Sequence, residues 1–300
     1  MSNIYSSIAS NKRSSYFIVV AFFIFVTAVV YVFARAMGYG SSAAGLALIF
    51  SGIASFGSYW FSDRIVLAMS GARPATREQD FQFYTVAENL CLAARLPMPK
   101  LYVIEDTAMN AFATGRNPDN AVVCATSGLL QRLDRTELEG VVAHEMAHIQ
   151  NYDMLLMSVV SVMVGFLALL ADWFLRMSMF GGKRDREDNG QLGMIFLVAG
   201  LVLAILSPII AQLIQLAISR QREFLADASA AKLTRQPEGL ARALAKLAAD
   251  KEPLEAANKA TAHLYITSPL KNHHDAVGWF SGLFNTHPPI EERIQRLRSM

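Results

Sequence analysis

The residues with the clearest chemical spacing in this chain are His144, Glu145 and His148, which form the run HEMAH. On an α-helix, side chains four residues apart lie on one face, so both imidazoles can bind the same metal ion. Two histidine nitrogens at about 2.0–2.1 Å from the ion are typical of zinc sites. Glu145 then lies beside the metal and can take a proton from an attacking water. The structural alternative is a surface helix with two hydrogen-bonded histidines.

A catalytic zinc site of this type needs a third protein ligand, and Glu223 is the best candidate. It belongs to the run SRQREFLAD at residues 219–227. Glu223 and Asp227 are four residues apart and share a helix face, so Glu223 can bind the metal while Asp227 orients a ligand histidine. The alternative is a solvated, charged helix end just after an apolar block. Paired with the HExxH run, the pattern predicts one zinc ion per chain, bound by His144, His148 and Glu223.

Local sequence signals predict the elements that position these residues. Thr136 and Glu139 have the T-x-x-E spacing of a capping box at the start of the HExxH helix. Residues 76–95 have apolar side chains at helical spacing, and Pro97 ends that helix. Three short runs have the composition of β-strands, and they are residues 101–104, 110–114 and 121–124. The region around the HExxH run is therefore expected to combine helices with a small sheet.

Apolar residues are concentrated in blocks. Hydrophobic residues make up 53% of the 300 positions, more than the roughly 45–50% of soluble domains. Four blocks carry no charged residue, and they are Ser14–Ala34, Ala36–Ser62, Met154–Ala171 and Gln191–Ser219. A helix that spans a bilayer needs about 17–25 apolar residues. The blocks therefore predict about four spans, although Asp172 interrupts the end of the third, and full spanning by the third and fourth is left open.

These blocks divide the chain into four predicted parts. Residues 1–62 form an N-terminal transmembrane hairpin, and residues 63–153 form a catalytic region that contains the HExxH helix. Residues 154–219 form a second hairpin, and residues 220–300 form a second catalytic region that supplies the third zinc ligand. Both catalytic regions must reach one ion, so an even number of spans has to separate them.

Charges beside the first two blocks predict which side of the membrane holds the site. Lys12 and Arg13 precede the first block, and three arginines follow the second block within residues 63–77. The positive-inside rule therefore places the N-terminus and both catalytic regions in the cytoplasm. The loop at residues 181–190 opposes this assignment, because it carries three basic residues and would lie outside. The cytoplasmic assignment is kept because the zinc ligands must share one side.

Four motifs together give the chain a family resemblance. They are NAFATG at residues 110–115, HEMAH at 144–148, SRQREFLAD at 219–227 and THPP at 286–289. With these motifs the chain resembles the HtpX-type membrane zinc metalloproteases, relatives of the CAAX prenyl proteases. The resemblance covers nearly the whole chain, including the order of the four apolar blocks. It implies an α-helical membrane protein of about four spans with a cytoplasmic α+β zincin-like metalloprotease domain.

The resemblance also implies roles for individual residues. It implies zinc ligands at His144, His148 and Glu223, with Glu145 as general base. It further implies that Asn110-Ala111-Phe112 lies along the cleft as an edge strand. Such a strand can bind an extended substrate through backbone hydrogen bonds. The alternative for these three residues is a plain structural strand or turn.

His287 has two readings that the sequence leaves open. It can stabilise the oxyanion that forms when water attacks the scissile carbonyl, which would make it a second catalytic residue beside Glu145. Alternatively, His287 and Pro288-Pro289 simply open the C-terminal helix, with proline in its first turn.

The expected function is that of a membrane-bound zinc endopeptidase. The resemblance implies a multi-pass protein of the bacterial inner membrane, acting on misfolded or damaged membrane proteins in envelope quality control and stress response. A non-catalytic membrane scaffold that binds zinc structurally is the alternative, but structural zinc sites usually have four protein ligands. An intramembrane protease is disfavoured because Arg135, Glu137 and Glu139 precede the HExxH run, and each charge is costly in lipid.

The net charge limits the classes of binding partner, and the cysteine content indicates the redox compartment. The net charge is +2, and no basic stripe with interleaved aromatic residues is present, so the sequence gives no support for a nucleic-acid partner. The expected partners are protein or peptide substrates, in particular membrane proteins, and the lipid bilayer. Cys91 and Cys124 are expected to be buried thiols in a reducing compartment.

Overall fold

The computed structural model describes residues 4–36, 43–163, 220–255, 261, 264–267 and 288–300. The first two helices are α1 (Ile4–Ala36) and α2 (Ala43–Trp60), which pack against each other and include most of the first two apolar blocks. The short helix α3 (Ser62–Met69) follows.

Within the described ranges, no helix has both the length and the hydropathy required to cross a bilayer. The predicted count of about four spans is therefore not confirmed. Residues 164–171 of the third apolar block and all of the fourth block lie outside the described residues. The division of the chain into four parts likewise remains a prediction.

The described strands form one four-stranded sheet in the order β1-β2-β4-β3. The strands are β1 (Arg73–Pro74), β2 (Lys100–Ile104), β3 (Ala111–Gly115) and β4 (Ala121–Thr126). Strands β2 and β4 are parallel, whereas the other two pairs are antiparallel. All three predicted strand runs are present, and β3 forms an edge of the sheet.

The turn between β3 and β4 requires glycine at its start. Gly115 has a φ of 131°, a backbone conformation that side chains with a Cβ rarely adopt. A Cβ at this position would come within 2.3 Å of the Asn120 carbonyl oxygen. Because Gly115 has no Cβ, the chain can turn back close to Asn120. Strand β3 then pairs with β4 in register, from Gly115 opposite Ala121 to Ala111 opposite Ala125.

Seven further helices surround the sheet in the described part of the chain. They are α4 (Phe81–Ala94), α5 (Ser127–Arg132), α6 (Arg135–Gln150), α7 (described over residues 153–163), α8 (Arg220–Thr234), α9 (Pro237–Ala249) and α10 (Ile290–Arg298). The main core lies between one face of the sheet and helices α4, α6, α8 and α9. Helix α6, which carries the HExxH run, lies at the centre of this core.

Two predicted helix boundaries were wrong. Helix α4 begins at Phe81 rather than at Thr76, because residues 76–80 form a turn that is closed by the ion pair of Arg73 with Asp80. The capping box of α6 is formed by Asp134 and Glu137, not by Thr136 and Glu139. Both boxes have the right spacing, and the choice between them is explained in the Discussion.

Helix α6 is fixed along its axis by close contact with α9. A Cβ on Gly140 would lie 2.7 Å from the backbone nitrogen of Leu240, and one on Gly239 would lie 2.7 Å from the Thr136 carbonyl oxygen. The two backbones therefore approach each other where neither residue has a side chain. This contact fixes the position of α6 along its axis, and with it the position of the last turn, which carries His148.

Candidate metal centre

The three predicted zinc ligands converge on one buried point. His144 and His148 lie one turn apart on α6, and Glu223 lies in the first turn of α8. The two histidine Nε2 atoms are 3.1 Å apart. Glu223 Oε1 is 3.5 Å from His148 Nε2, and Oε2 is 3.7 Å from His144 Nε2. Ligands about 2.0–2.1 Å from a tetrahedral zinc ion are separated by about 3.3 Å, so these three donors fit a single ion.

Each histidine is oriented from behind by a carboxylate. His144 Nδ1 is 2.9 Å from Asp227 Oδ1, and His148 Nδ1 is 3.1 Å from Asp153 Oδ2. A carboxylate that accepts the Nδ1 proton leaves the lone pair of Nε2 directed at the metal. The sequence predicted this role for Asp227. It did not predict Asp153, whose signal is its position in the turn directly after the HExxH helix.

A buried arginine from the C-terminal helix completes the centre. Arg293 donates to both oxygens of Asp227, from Nη2 to Oδ1 over 2.7 Å and from Nε to Oδ2 over 2.8 Å. Its Nη1 lies 3.6 Å from Glu223 Oε2 and donates to the Ile266 carbonyl oxygen over 3.2 Å. The side chain is fully buried. Sequence reasoning missed Arg293, because no spacing rule connects it to the HExxH run.

The balance of charge at the centre suits a divalent cation. The carboxylates outnumber the guanidinium groups by two, and these groups are Glu145, Asp153, Glu223 and Asp227 against Arg222 and Arg293. Uncompensated charge in a protein interior costs several kcal/mol per ion. This excess of two holds when both histidines are neutral, as metal binding requires, and a zinc ion would then neutralise it. Without the metal, a proton on His148 offsets part of the excess.

The two histidines differ in their protonation. Burial lowers the pKa of His144 more than the nearby Asp227 raises it. Burial also lowers the pKa of His148, but the hydrogen bond to Asp153 and the charge of Glu223 outweigh it and raise the pKa to about 9. A proton and a metal ion compete for the same Nε2 lone pair, so metal binding is expected to release a proton from His148.

Glu145 lies between the ligand cluster and the edge strand. Burial raises the pKa of its carboxyl group to about 7, and the charge of Glu223 acts in the same direction. The opposing influences are the charges of His148 and Arg293 and a hydrogen bond from the backbone N–H of Ala113 in β3. A carboxyl group that titrates near neutral pH is suited to both accepting and donating a proton.

The predicted substrate strand lies where the sequence placed it, at the edge of the sheet. Ala111 and Phe112 are in β3, Asn110 directly precedes it, and all three are buried. A segment of this chain pairs with part of that edge. Ile266 N–H donates to the Ala111 carbonyl oxygen over 3.0 Å, and the Asn110 side chain donates to the Thr267 carbonyl oxygen over 3.0 Å. Substrate binding by these residues stays a prediction.

His287 lies outside the described residues, so its role is also still a prediction. Helix α10 begins at Ile290, with Pro289 at its N-cap rather than in its first turn. Both cysteines are buried free thiols, as expected.

Comparison with known proteins shows which family this chain matches. Residues 77–300 match the family model described as peptidase family M48. Proteins described as "Protease HtpX homolog" are similar over nearly their whole length. That of Streptococcus uberis is 43% identical, with 99% of this chain and 100% of the relative covered. That of Dictyoglomus turgidum is 45% identical, with 99% and 94% covered.

A solved structure, the crystal structure of S. mikatae Ste24p, is also similar, with a TM-score of 0.48 and 16% sequence identity. The similarity covers 98% of this chain and 67% of that chain.

Proposed function

This chain belongs to peptidase family M48 and is a zinc-dependent metalloprotease, and we propose that it is a membrane-bound endopeptidase. The proposed substrates are misfolded or damaged membrane proteins, in envelope quality control and the response to stress. The observation that carries the proposal is the convergence of His144, His148 and Glu223 with Glu145 directly beside them.

The side chains around the ligands have distinct tasks in hydrolysis. Zinc, when bound by His144, His148 and Glu223, supplies a Lewis acid that polarises a carbonyl group and makes a water more acidic. Glu145 takes the proton of the attacking water and returns it to the leaving amine. The N–H of Ala113 holds the Glu145 carboxylate in place for both transfers.

The edge strand is the proposed wall of the substrate cleft. Glu145 contacts β3 through Ala113, so a peptide that reaches Glu145 passes along this strand. We therefore keep Asn110, Ala111 and Phe112 as proposed substrate-binding residues. Phe112 is held by an edge-on contact with Tyr265, whose ring centroid lies 5.1 Å away.

We also keep His287 as a proposed oxyanion stabiliser. The support is indirect and comes from Arg293, six residues further along the chain. Arg293 lies at the ligand cluster, with Nη2 3.5 Å from His144 Nε2. Residues 288 and 289, which follow His287 in the sequence, lead into a helix that contacts the site.

Exposed apolar side chains on the first two helices support contact with lipid. On α1, Phe17 is 71% exposed and Ile24 is 61% exposed; on α2, Ile53 is 69% exposed and Phe56 is 60% exposed. Soluble proteins rarely expose apolar surface of this kind in a continuous patch. We propose that these faces contact the bilayer of a bacterial inner membrane, with the zinc site on the cytoplasmic side.

A non-catalytic zinc scaffold is the second candidate function. Among the described residues, the group able to hold a metal ion has three members, whereas structural zinc sites are usually closed by four protein ligands. A carboxylate positioned beside the ligands, as Glu145 is, has no task in a structural site. Both observations favour catalysis.

The first test concerns zinc dependence and Glu223. We expect the purified protein in detergent to hydrolyse an unfolded protein, to lose this activity in a chelator and to regain it with added zinc. Loss of a partner behind a ligand already weakens metal binding about 10–100-fold, so we expect Glu223→Gln to weaken zinc binding by at least about 100-fold. The measurement is zinc affinity by competition with a chromophoric chelator.

A matched control for this test is Glu238→Gln. Glu238 is an exposed carboxylate that forms an ion pair with Arg298. The control variant should bind zinc as the wild type does. Equal zinc affinity in Glu223→Gln and Glu238→Gln would contradict ligation by Glu223.

The second test concerns sidedness. Arg186→Cys and Ala260→Cys are each placed in a background without Cys91 and Cys124, and an impermeant thiol reagent is added to intact cells. Because both catalytic regions share the ion, we expect position 260 to be protected and position 186 to be labelled. Labelling at neither position would contradict spanning by the third and fourth blocks, and labelling at 260 would contradict a cytoplasmic site.

A further inference from the structure

A chain of hydrogen bonds connects the N-terminal helix to a metal ligand. Asn11 on α1 donates from Nδ2 to Oδ1 of Asp153 over 2.6 Å. The other oxygen of Asp153 lies 3.1 Å from Nδ1 of His148. Asn11 and Asp153 are both buried, although they are 142 residues apart in the sequence. The orientation of His148 is therefore determined in part by a residue of α1.

The amide of Asn11 also contacts both elements that carry ligands. Its Nδ2 donates to the Asn151 carbonyl oxygen over 2.9 Å, at the end of the HExxH helix. Its Oδ1 accepts a hydrogen bond of 3.0 Å from Nη1 of Arg222, which directly precedes Glu223 on α8. Both hydrogens and the oxygen of the amide are thus used, and they connect α6 with α8.

A second contact from α1 holds the same turn. Tyr152, between Asn151 and Asp153, has a φ of 61°, a left-handed conformation that costs about 1–2 kcal/mol for a residue other than glycine. The Nζ of Lys12 lies 4.0 Å from the centroid of the Tyr152 ring. Two consecutive residues of α1 therefore bind a strained turn whose shape places Asp153 behind His148.

We infer that Asn11 is a positioning residue of the zinc site, through which the N-terminal helix holds His148 and Glu223 at the separation that the metal requires. The inference rests on the proposed function of the three ligands. It assigns α1 a part in metal binding in addition to any contact with lipid. If Asn11 is lost, the ion-pair partner left to Oδ1 of Asp153 among the described residues is the more distant Arg222, whose Nη1 is 3.9 Å away.

The experiment compares zinc affinity in Asn11→Ala, Asn11→Asp, Asp153→Asn and the double variant Asn11→Asp/Asp153→Asn. We expect Asn11→Ala to weaken zinc binding about 10–100-fold, as removal of an orienting partner does. Asn11→Asp should weaken it further, because two carboxylates would then face each other where a 2.6 Å hydrogen bond now lies. The double variant exchanges donor and acceptor, so it should regain at least about tenfold over Asn11→Asp.

Two further measurements separate positioning from general stability. Asn120→Ala removes a partly buried amide that donates to Asn117 in the turn between β3 and β4, and it should leave zinc affinity unchanged. The unfolding temperature is measured with zinc and with a chelator. If Asn11 only stabilises the fold, its replacement lowers the unfolding temperature equally with zinc and with a chelator. If Asn11 positions the ligands, its replacement also reduces the increase in unfolding temperature that zinc produces. If Asn11→Asp fails to fold, Asn11→Ala and the double variant carry the same comparison.

The outcomes also separate this inference from the proposed function. Weakened zinc binding in Glu223→Gln together with wild-type affinity in all Asn11 variants would overturn the inference and leave the zinc site intact. A wild-type protein that binds no zinc would overturn both. Loss in Asn11→Ala with recovery in the double variant would confirm that α1 positions the ligands.

Discussion

Replacing Glu145 with glutamine is expected to slow peptide hydrolysis by about 10²–10⁴-fold, the usual contribution of a general base. Glutamine has nearly the same shape as glutamate, and its amide oxygen can still accept the hydrogen bond from the Ala113 N–H. It cannot accept a proton from water. The zinc ligands are untouched, so zinc content should stay at one ion per chain. The measurements are the hydrolysis rate of a fluorogenic unfolded protein and metal analysis of the same sample.

Glu139→Gln is the matched control for Glu145→Gln. Glu139 lies on the same helix, partly exposed and paired with Arg135, so this variant should retain wild-type hydrolysis. A Glu145→Gln enzyme as fast as this control would exclude Glu145 as the base. A wild-type protein that holds zinc firmly but hydrolyses nothing would favour the scaffold function.

Arg293→Met is expected to destabilise the domain by about 3–5 kcal/mol, the cost of removing one partner from a buried ion pair. Methionine fills much of the space, but Asp227 and Glu223 would then lack the only guanidinium group that contacts both among the described residues. The fold would also lose the ion pairs of Arg293 with α8 and its hydrogen bond to the Ile266 carbonyl oxygen. The measurement is the free energy of unfolding in denaturant, with a chelator present so that zinc does not compensate the charge.

Arg298→Met provides the comparison on the same helix. Arg298 forms an exposed ion pair with Glu238, and such pairs contribute about 0–1 kcal/mol. Arg293→Lys should fall between the two, since it keeps the charge but loses the paired hydrogen bonds to Asp227. Equal free energies of unfolding in Arg293→Met and Arg298→Met would show that the buried Arg293 does not stabilise the domain as its contacts indicate.

The grouping of the proposed ligands was predictable in part because much of its geometry is local. His144 and His148 on one helix, and Glu223 and Asp227 on another, are each four residues apart, and the spacing of an α-helix alone places each pair on one face. Helix spacing does not give the distance between the two helices. The HExxH pattern indicated that they lie close together, because a catalytic zinc site requires a third protein ligand.

The capping box shows where local rules stop short. Asp134 with Glu137 and Thr136 with Glu139 satisfy the same spacing rule, so the sequence offers two starting points for the HExxH helix. Packing against α9 decides between them. Lys246 of α9 donates to the Glu137 carboxylate over 2.6 Å, and Glu137 is buried. The interaction that selects the correct box comes from a residue more than a hundred positions away.

Arg293 and Asn11, which hold the carboxylates behind the ligands, were not predictable for the same reason. Arg293 meets Asp227 across 66 residues, and Asn11 meets Asp153 across 142 residues. No periodicity relates these positions, and single polar residues in helices are common on solvated faces. The span count could not be settled either, because the described residues end at 163 within the third apolar block and resume at 220.

The separation of the ligands along the chain has a consequence for biosynthesis. A ribosome releases residues in order, so the helix with His144 and His148 is made well before Glu223, and Arg293 is made later still. The two imidazoles alone lack the third donor and the buried guanidinium that brings α10 to the centre. A nascent chain that ends before Glu223 therefore contains the HExxH motif but lacks the third proposed zinc ligand. We therefore expect a nascent chain to acquire zinc-dependent hydrolysis only after synthesis has passed Glu223.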